Sequence, residues 1–170
     1  GGECYLEPLH DGQVQIGDDF DGLASSDLPP DWFQETSDPA WTWSPDTNFS
    51  ASAPNAIAVT GPLVWSEEPV VLRLETPEFT IPSGGANLNF MLSMALGDET
   101  CDGDTLTISV GDEQVHVACE STPAFVEVTV PLPPTSGPVT AHFEAALTGD
   151  SATFVDIRLD DIEVLANYPC

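Results

Sequence analysis

Lysine is absent from this 170-residue chain, and Arg73 and Arg158 are its only basic side chains besides three histidines, against 29 acidic residues. Nucleic-acid binders need clustered Lys and Arg, so a formal charge of −27 excludes a phosphate-backbone partner. It equally disfavours docking on anionic membranes. No apolar run approaches the roughly 18 to 20 residues that cross a bilayer, so membrane insertion is not expected. The chain starts at Gly1 with neither Met nor a signal-like segment, which reads as a processed, secreted product. Self-repulsion at this charge opposes compactness unless salt or divalent ions screen it, the Debye length falling from about 10 Å at 0.1 M to about 3 Å at 1 M. A saline, halophilic or cation-rich setting is therefore expected.

Signs of catalysis are missing as well. No Ser lies in a Gly-x-Ser-x-Gly elbow, and His10, His116 and His142 stand singly, without a nucleophile partner in view. Carboxylate pairs of the glycosidase kind are guaranteed by chance among 29 acids and carry no weight. Gly-rich phosphate loops are absent. A zinc site does not fit the spacing of the four cysteines or of the histidines. The chain reads as a non-enzyme.

What is present is a core and a strand pattern. Hydrophobic residues make up 41% of the chain, with four Trp and eight Phe, enough to fill one sizeable domain. No stretch has a helical period, whereas period-two runs recur between Gly, Pro, Ser and Asp. These predict strands at Val14–Ile16, Ala56–Thr60, Val70–Leu74, Glu78–Ile81, Ala86–Leu96, Thr105–Val110, Gln114–Cys119, Phe125–Val130, Val139–Leu147 and Thr153–Leu165. Prolines fall between most of these runs, as ladder geometry requires. The pattern predicts an all-β fold, an antiparallel jelly-roll β-sandwich with long irregular loops and no significant helix.

Cys4, Cys101, Cys119 and Cys170 form an even set, read as disulfides of an exported chain. The preferred pairing is Cys101 with Cys119, flanking one hairpin, and Cys4 with Cys170, joining the termini; the two other connectivities stay open, as does a bond from Cys4 or Cys170 to a neighbouring chain. The sequon Asn48-Phe49-Ser50 is a further mark of an exported surface loop.

Near the C-terminus, apolar residues alternate at Val155, Ile157 and Leu159, then resume out of phase at Ile162 and Val164. A β-bulge at Asp160-Asp161 accounts for the flip. Two adjacent carboxylates repel, and a Ca²⁺ ion held by carboxylate and carbonyl oxygens relieves the repulsion, provided other segments complete its roughly six to eight ligands. The segments Asp18-Asp19-Phe20-Asp21-Gly22 and Asp38-Pro39-Ala40-Trp41 offer such oxygens.

The order of these motifs resembles a known group. A Phe-acidic pair near the start, Leu28-Pro29-Pro30-Asp31-Trp32, an Asp-x-x-Trp at Asp38–Trp41 and a closing Leu-Asp-Asp-Ile at Leu159–Ile162 are similar to the MAM-like extracellular jelly rolls, including bacterial cleaved-adhesin and choice-of-anchor J domains. The likeness runs from about Phe20 to Leu165. It implies a cation tying the first acidic motif to the terminal aspartates, with Asp21, Asp38, and Asp160 or Asp161 as ligands, and it implies Trp32 and Trp41 inside. This chain departs from MAM domains proper in having Asp21 where Glu is usual and in lacking their cysteine positions.

Residues 22–54 read as an irregular, aromatic-rich stretch covering one end of the sandwich; Trp43 within it and Trp65 beyond it are the rings expected to be exposed. Residues 1–17 read as an arm whose short strand pairs with its own sheet or with a neighbour's, ahead of a domain spanning 18–170. These features predict a non-catalytic, Ca²⁺-stabilised structural or adhesive module of the cell surface, self-associating into a filament or matrix. The rival reading is a carbohydrate-binding module in which Trp43 and Trp65 stack on glycans.

Overall fold

A computed structural model of the protein describes residues 6–8, 17–23, 28–48, 50–52, 55–61, 68–96, 101–148 and 155–167. Among them run twelve strands and no helix: β1 (Leu6–Pro8), β2 (Gly17–Asp18), β3 (Phe33–Thr36), β4 (Thr42–Asp46), β5 (Ala56–Thr60), β6 (Val70–Glu75), β7 (Ala86–Ala95), β8 (Thr105–Val110), β9 (Glu113–Ala118), β10 (Val126–Leu132), β11 (Ala141–Leu147) and β12 (Asp156–Asn167). One sheet of seven strands has the order β10-β7-β12-β5-β4, with β1 and β2 also paired to β12. The other has five, in the order β3-β6-β11-β8-β9. Every pairing is antiparallel, so the expected β-sandwich forms.

Period-two patterning builds the core. On β6, Val70, Leu72 and Leu74 point inward while Val71, Arg73 and Glu75 point out, and on β11 Ala141, Phe143, Ala145 and Leu147 do the same. Leu88, Phe90 and Leu92 of β7 meet this layer from the other sheet, where the Phe90 and Phe143 rings lie 5.3 Å apart, edge to face. At one end Phe20 packs on Trp32, with centroids 5.6 Å apart, and holds a φ of 61°. A bulky residue is rarely found there, and complete burial of the ring keeps it in place. Trp32 and Trp41 are buried, as the resemblance implied.

Several expectations need correction. Glu78–Ile81 is not a strand: Pro77 and Pro82 bracket it, and it makes only an isolated bridge between Phe79 and Val139. The stretch read as irregular contains β3 and β4. Both lie at sheet edges, and their Ser, Thr, Gln and Asp residues hide the alternation. Val14–Ile16 lies outside the described residues. Elsewhere in the arm, β1 and β2 pair with β12 of the same chain. A disulfide joins Cys101, just ahead of β8, to Cys119, just after β9; Cys4 and Cys170 lie outside the described residues. No helix among the described residues is long and apolar enough to cross a membrane.

Candidate functional site

The bulge is where the parity flip placed it. The β12–β7 register shifts between Asp160 and Glu163, and Asp161 takes a left-handed φ of 47°. Asp160 is fully buried, because the segment at Ala51-Ser52 closes over it. Its Oδ2 accepts the backbone N–H groups of Ala51 and Ser52, each at 2.8 Å, and its Oδ1 accepts that of Asp161 at 2.8 Å. The Ser52 hydroxyl donates to Asp161 Oδ1 at 2.7 Å. Burial pushes the Asp160 carboxyl up to about 6, with the Asp161 charge adding to the rise and the Ser52, Asp161 and Ala51 amides opposing it.

A second set of bonds anchors the same loop to the first acidic motif. The Asn55 N–H donates to Asp21 Oδ1 at 3.1 Å, and its buried side-chain amide donates to the Phe20 and Leu23 carbonyls at 3.0 and 3.2 Å. Burial also holds the Asp18 carboxyl above its ordinary range, reinforced by the charges of Asp19 and Asp21 and opposed by the Phe20 N–H. Ala51, Ser52 and Asn55 thus link Asp21 near the start of the domain to Asp160 and Asp161 on β12.

Asp38 does not join them. β4 pairs with β5 so that Asp46 faces Ala56 and Thr42 faces Thr60, which puts Asp38, ahead of Thr42, at the opposite end of these strands from Asn55. Its Oδ1 caps its own turn by accepting the Ala40 N–H at 2.9 Å, and its carbonyl accepts Trp41 N–H. Among the described residues no three His, Cys, Asp or Glu side chains gather as a metal-holding group. Asp21 and Asp161 each keep a carboxylate oxygen outside the bonds above. An ion at this corner would draw on those two and complete its shell with carbonyl and water oxygens.

Trp43 is not the exposed ring expected. On β4 it alternates inward between Thr42 and Ser44, is 1% exposed, and its indole N–H donates across the sandwich to the Leu72 carbonyl at 3.3 Å. A ring so placed offers no face to a sugar. Trp65 lies outside the described residues.

Among the described residues, the outer face of the five-stranded sheet presents charged, polar and aromatic side chains together. Register aligns two rows across it. One runs Glu35, Arg73, Glu144, Thr107, Val117; the other runs Phe33, Glu75, His142, Ser109, Gln114. In the first row the Arg73 Nε and Nη2 both reach Glu144 Oε2 at 3.2 Å, and a depression of about 370 Å³ opens beside Glu35, Ser37 and Val71. In the second, His142 Nε2 lies 2.9 Å from Thr140 Oγ1 and 3.7 Å from Glu75 Oε2, and a depression of about 340 Å³ opens beside Phe33, which is 64% exposed.

The sequence reading assigned no role to this face. Arg73 between Leu72 and Leu74 signals an outward charge, but the partners opposite it follow from pairings of distant strands. Gln34, on the same edge strand as Phe33, ties the face to the other sheet. Its side chain accepts the Trp43 N–H at 2.9 Å and donates to the Trp43 carbonyl at 3.1 Å. Chemically, the face combines an exposed aromatic ring, a fixed guanidinium–carboxylate pair and hydroxyls, a set suited to a flat, polyhydroxylated ligand.

No protein-family model matches the chain, and no curated protein matches its sequence. Solved structures do match its fold. The K1 cleaved adhesin domain of Lys-gingipain from Porphyromonas gingivalis superposes with a TM-score of 0.62 at 16% identity, covering 90% of this chain and 98% of that one. TmCBM61, solved in complex with β-1,4-galactotriose, matches with a TM-score of 0.55 at 12% identity over 79% of this chain and 88% of its own. The CBM22-1 xylan-binding domain of Paenibacillus barcinonensis Xyn10C matches at 0.53 and 9% identity, covering 99% and 97%. What the chain shares with cleaved-adhesin and carbohydrate-binding domains is their antiparallel β-sandwich.

Proposed function

We propose that the protein is an exported, non-catalytic carbohydrate-binding module that holds a glycan against the outer face of the five-stranded sheet. The observation that carries this reading is the pair of adjoining depressions along β3, one built on Arg73, Glu35 and Glu144 and the other on the exposed ring of Phe33. Carboxylates and guanidinium hydrogen-bond sugar hydroxyls, and an exposed ring stacks on the apolar side of a pyranose. The β-sandwich shared with galactotriose- and xylan-binding domains is consistent with it. Titration calorimetry with galacto- and xylo-oligosaccharides tests it. Phe33→Ala and Arg73→Ala are each expected to weaken binding about tenfold, the loss of one good contact, with melting temperatures unchanged. Retention of no polysaccharide by the wild type would sink the proposal.

An adhesive surface module is the second reading, favoured by the likeness to the K1 cleaved adhesin domain. In that role the same face would hold host or matrix glycans. Because β1 and β2 pair with β12 of the same chain, self-association through them would have to use their outer edges.

A Ca²⁺ ion at the corner of Asp21 and Asp161 is proposed as a stabiliser. Its support is the crowding of Asp18, Asp19 and Asp21 on one turn, with Asn55 bonded to Asp21 and Ala51 and Ser52 bonded at the bulge. At about a hundred times its dissociation constant, an ion bound only by the folded state adds about 2.7 kcal/mol. In low salt, millimolar Ca²⁺ should then raise the melting temperature several degrees above that in EDTA, and identical melts would remove the ion from the account.

A further inference from the structure

The second depression has a composition the first does not share. Its walls include Phe33, Glu75, Glu78, Asp31 and Thr140, and among the described residues none of its walls is cationic. At about 340 Å³ it lies at the lower end of the roughly 300–1,000 Å³ range of ligand pockets. Phe33 is 64% exposed at its edge, one of two large hydrophobic side chains left open among the described residues. Neither arginine of the chain supplies positive charge here. Arg73 is bonded to Glu144 in the neighbouring row, and Arg158 is paired with Asp46 and Asp156 on the other sheet. Among the described residues His142 also faces this area, and its Nε2 points to Thr140 and Glu75.

An aromatic face beside three carboxylates suits a ligand that is apolar on one side and cationic at its edge. Neutral sugars would use these carboxylates only as hydrogen-bond acceptors, whereas an ammonium group adds charge attraction, and anionic glycans would be repelled by a chain of net charge −27. Resting on the carbohydrate reading above, we propose that this face takes a glycan bearing free amino groups, a polyglucosamine, with a sugar ring on Phe33 and an ammonium group among Asp31, Glu75 and Glu78.

The test compares the glucosamine tetramer with the N-acetylglucosamine tetramer by calorimetry at pH 5, where the free amino groups of the ligand are protonated. The free-amine tetramer is expected to bind at least tenfold tighter. Phe33→Ala and Glu78→Gln, both at exposed positions, should each cost it fivefold or more while leaving the melting temperature unchanged. Equal affinities for the two tetramers would overturn the inference. So would free-amine binding indifferent to Phe33→Ala, which would report diffuse attraction to the acidic surface. If xylo- or galacto-oligosaccharides bind and the glucosamine tetramer does not, the amino-sugar inference falls and the carbohydrate reading stands. Should tetralysine bind as tightly as the glucosamine tetramer with the same dependence on Phe33, the face reads ammonium groups rather than sugars, and both fall.

Discussion

Asp160→Ala should lower the melting temperature by about 10 °C at pH 7 in EDTA, and its effect should grow, not shrink, on acidification. The substitution leaves the N–H groups of Ala51, Ser52 and Asp161 without their acceptor, at about 1–3 kcal/mol each where water does not replace it. Against this loss, the mutant no longer buries a charge. A carboxyl raised from 3.8 to about 6 in the folded state destabilises folding by about 3 kcal/mol once ionised. The net loss at pH 7 is about 3 kcal/mol, and a domain of this length shifts by roughly 2–4 °C per kcal/mol.

The sign of the pH dependence follows from the folded pKa lying above the unfolded one. Its stabilising contribution is complete below about pH 4, falls as pH rises through about 6, and is then gone. The wild type therefore gains about 3 kcal/mol between pH 7 and pH 4 that the alanine variant cannot gain. The gap between the two should roughly double over that range. Asp160→Asn, which keeps an acceptor for Ala51 and Ser52 but turns a donor toward the Asp161 N–H, should fall between them and lack the pH dependence. Urea unfolding of the three proteins at pH 4, 5, 6 and 7 reads the difference directly. A gap that narrows toward pH 4 would mean that the bonds to the loop hold little and that water reaches the carboxylate.

Gly61→Ala is expected to have an effect of similar size from a single methyl group. A Cβ at this position would stand 2.1 Å from both Cδ2 and Cε3 of the Trp41 ring. No real contact is that short, and a bicyclic ring, 5% exposed in the core, has no flexible end to withdraw. Either Trp41 leaves its place or β5 and the chain after it move. Loss of a buried Trp from a core is worth about 3–5 kcal/mol, so a fall in melting temperature of about 10 °C or more is expected. Trp fluorescence should shift to the red as the ring meets water. An alanine variant within 1 °C of the wild type would show that the ring has room to slide, contrary to its contacts.

Asp160 and Gly61 show how unevenly the sequence speaks. The bulge was legible because a change in the parity of apolar residues has few other local explanations, and it formed where Asp160 and Asp161 stand. The hairpin of β8 and β9 and its disulfide were legible for the same reason, alternation on both sides of a Gly-Asp turn. Trp43 was misread. Its neighbours Thr42, Ser44 and Pro45 look like loop residues, yet they form an edge strand whose inward position falls on the ring. Asp38 was misassigned because order along the chain does not reveal which end of a strand pair a turn occupies.

By itself the sequence determined the fold class, the antiparallel sandwich, the bulge and the lack of any basic surface, since each depends on local periodicity or on composition. Only the tertiary structure decided which residues share a surface. Glu35, Arg73 and Glu144 come from three strands, as do Phe33, Glu75 and His142, and they meet because hydrogen-bond register aligns them. The cover over Asp160 comes from a loop more than a hundred residues away. Register between distant strands is set by the packing of the whole core, which no short window of sequence contains.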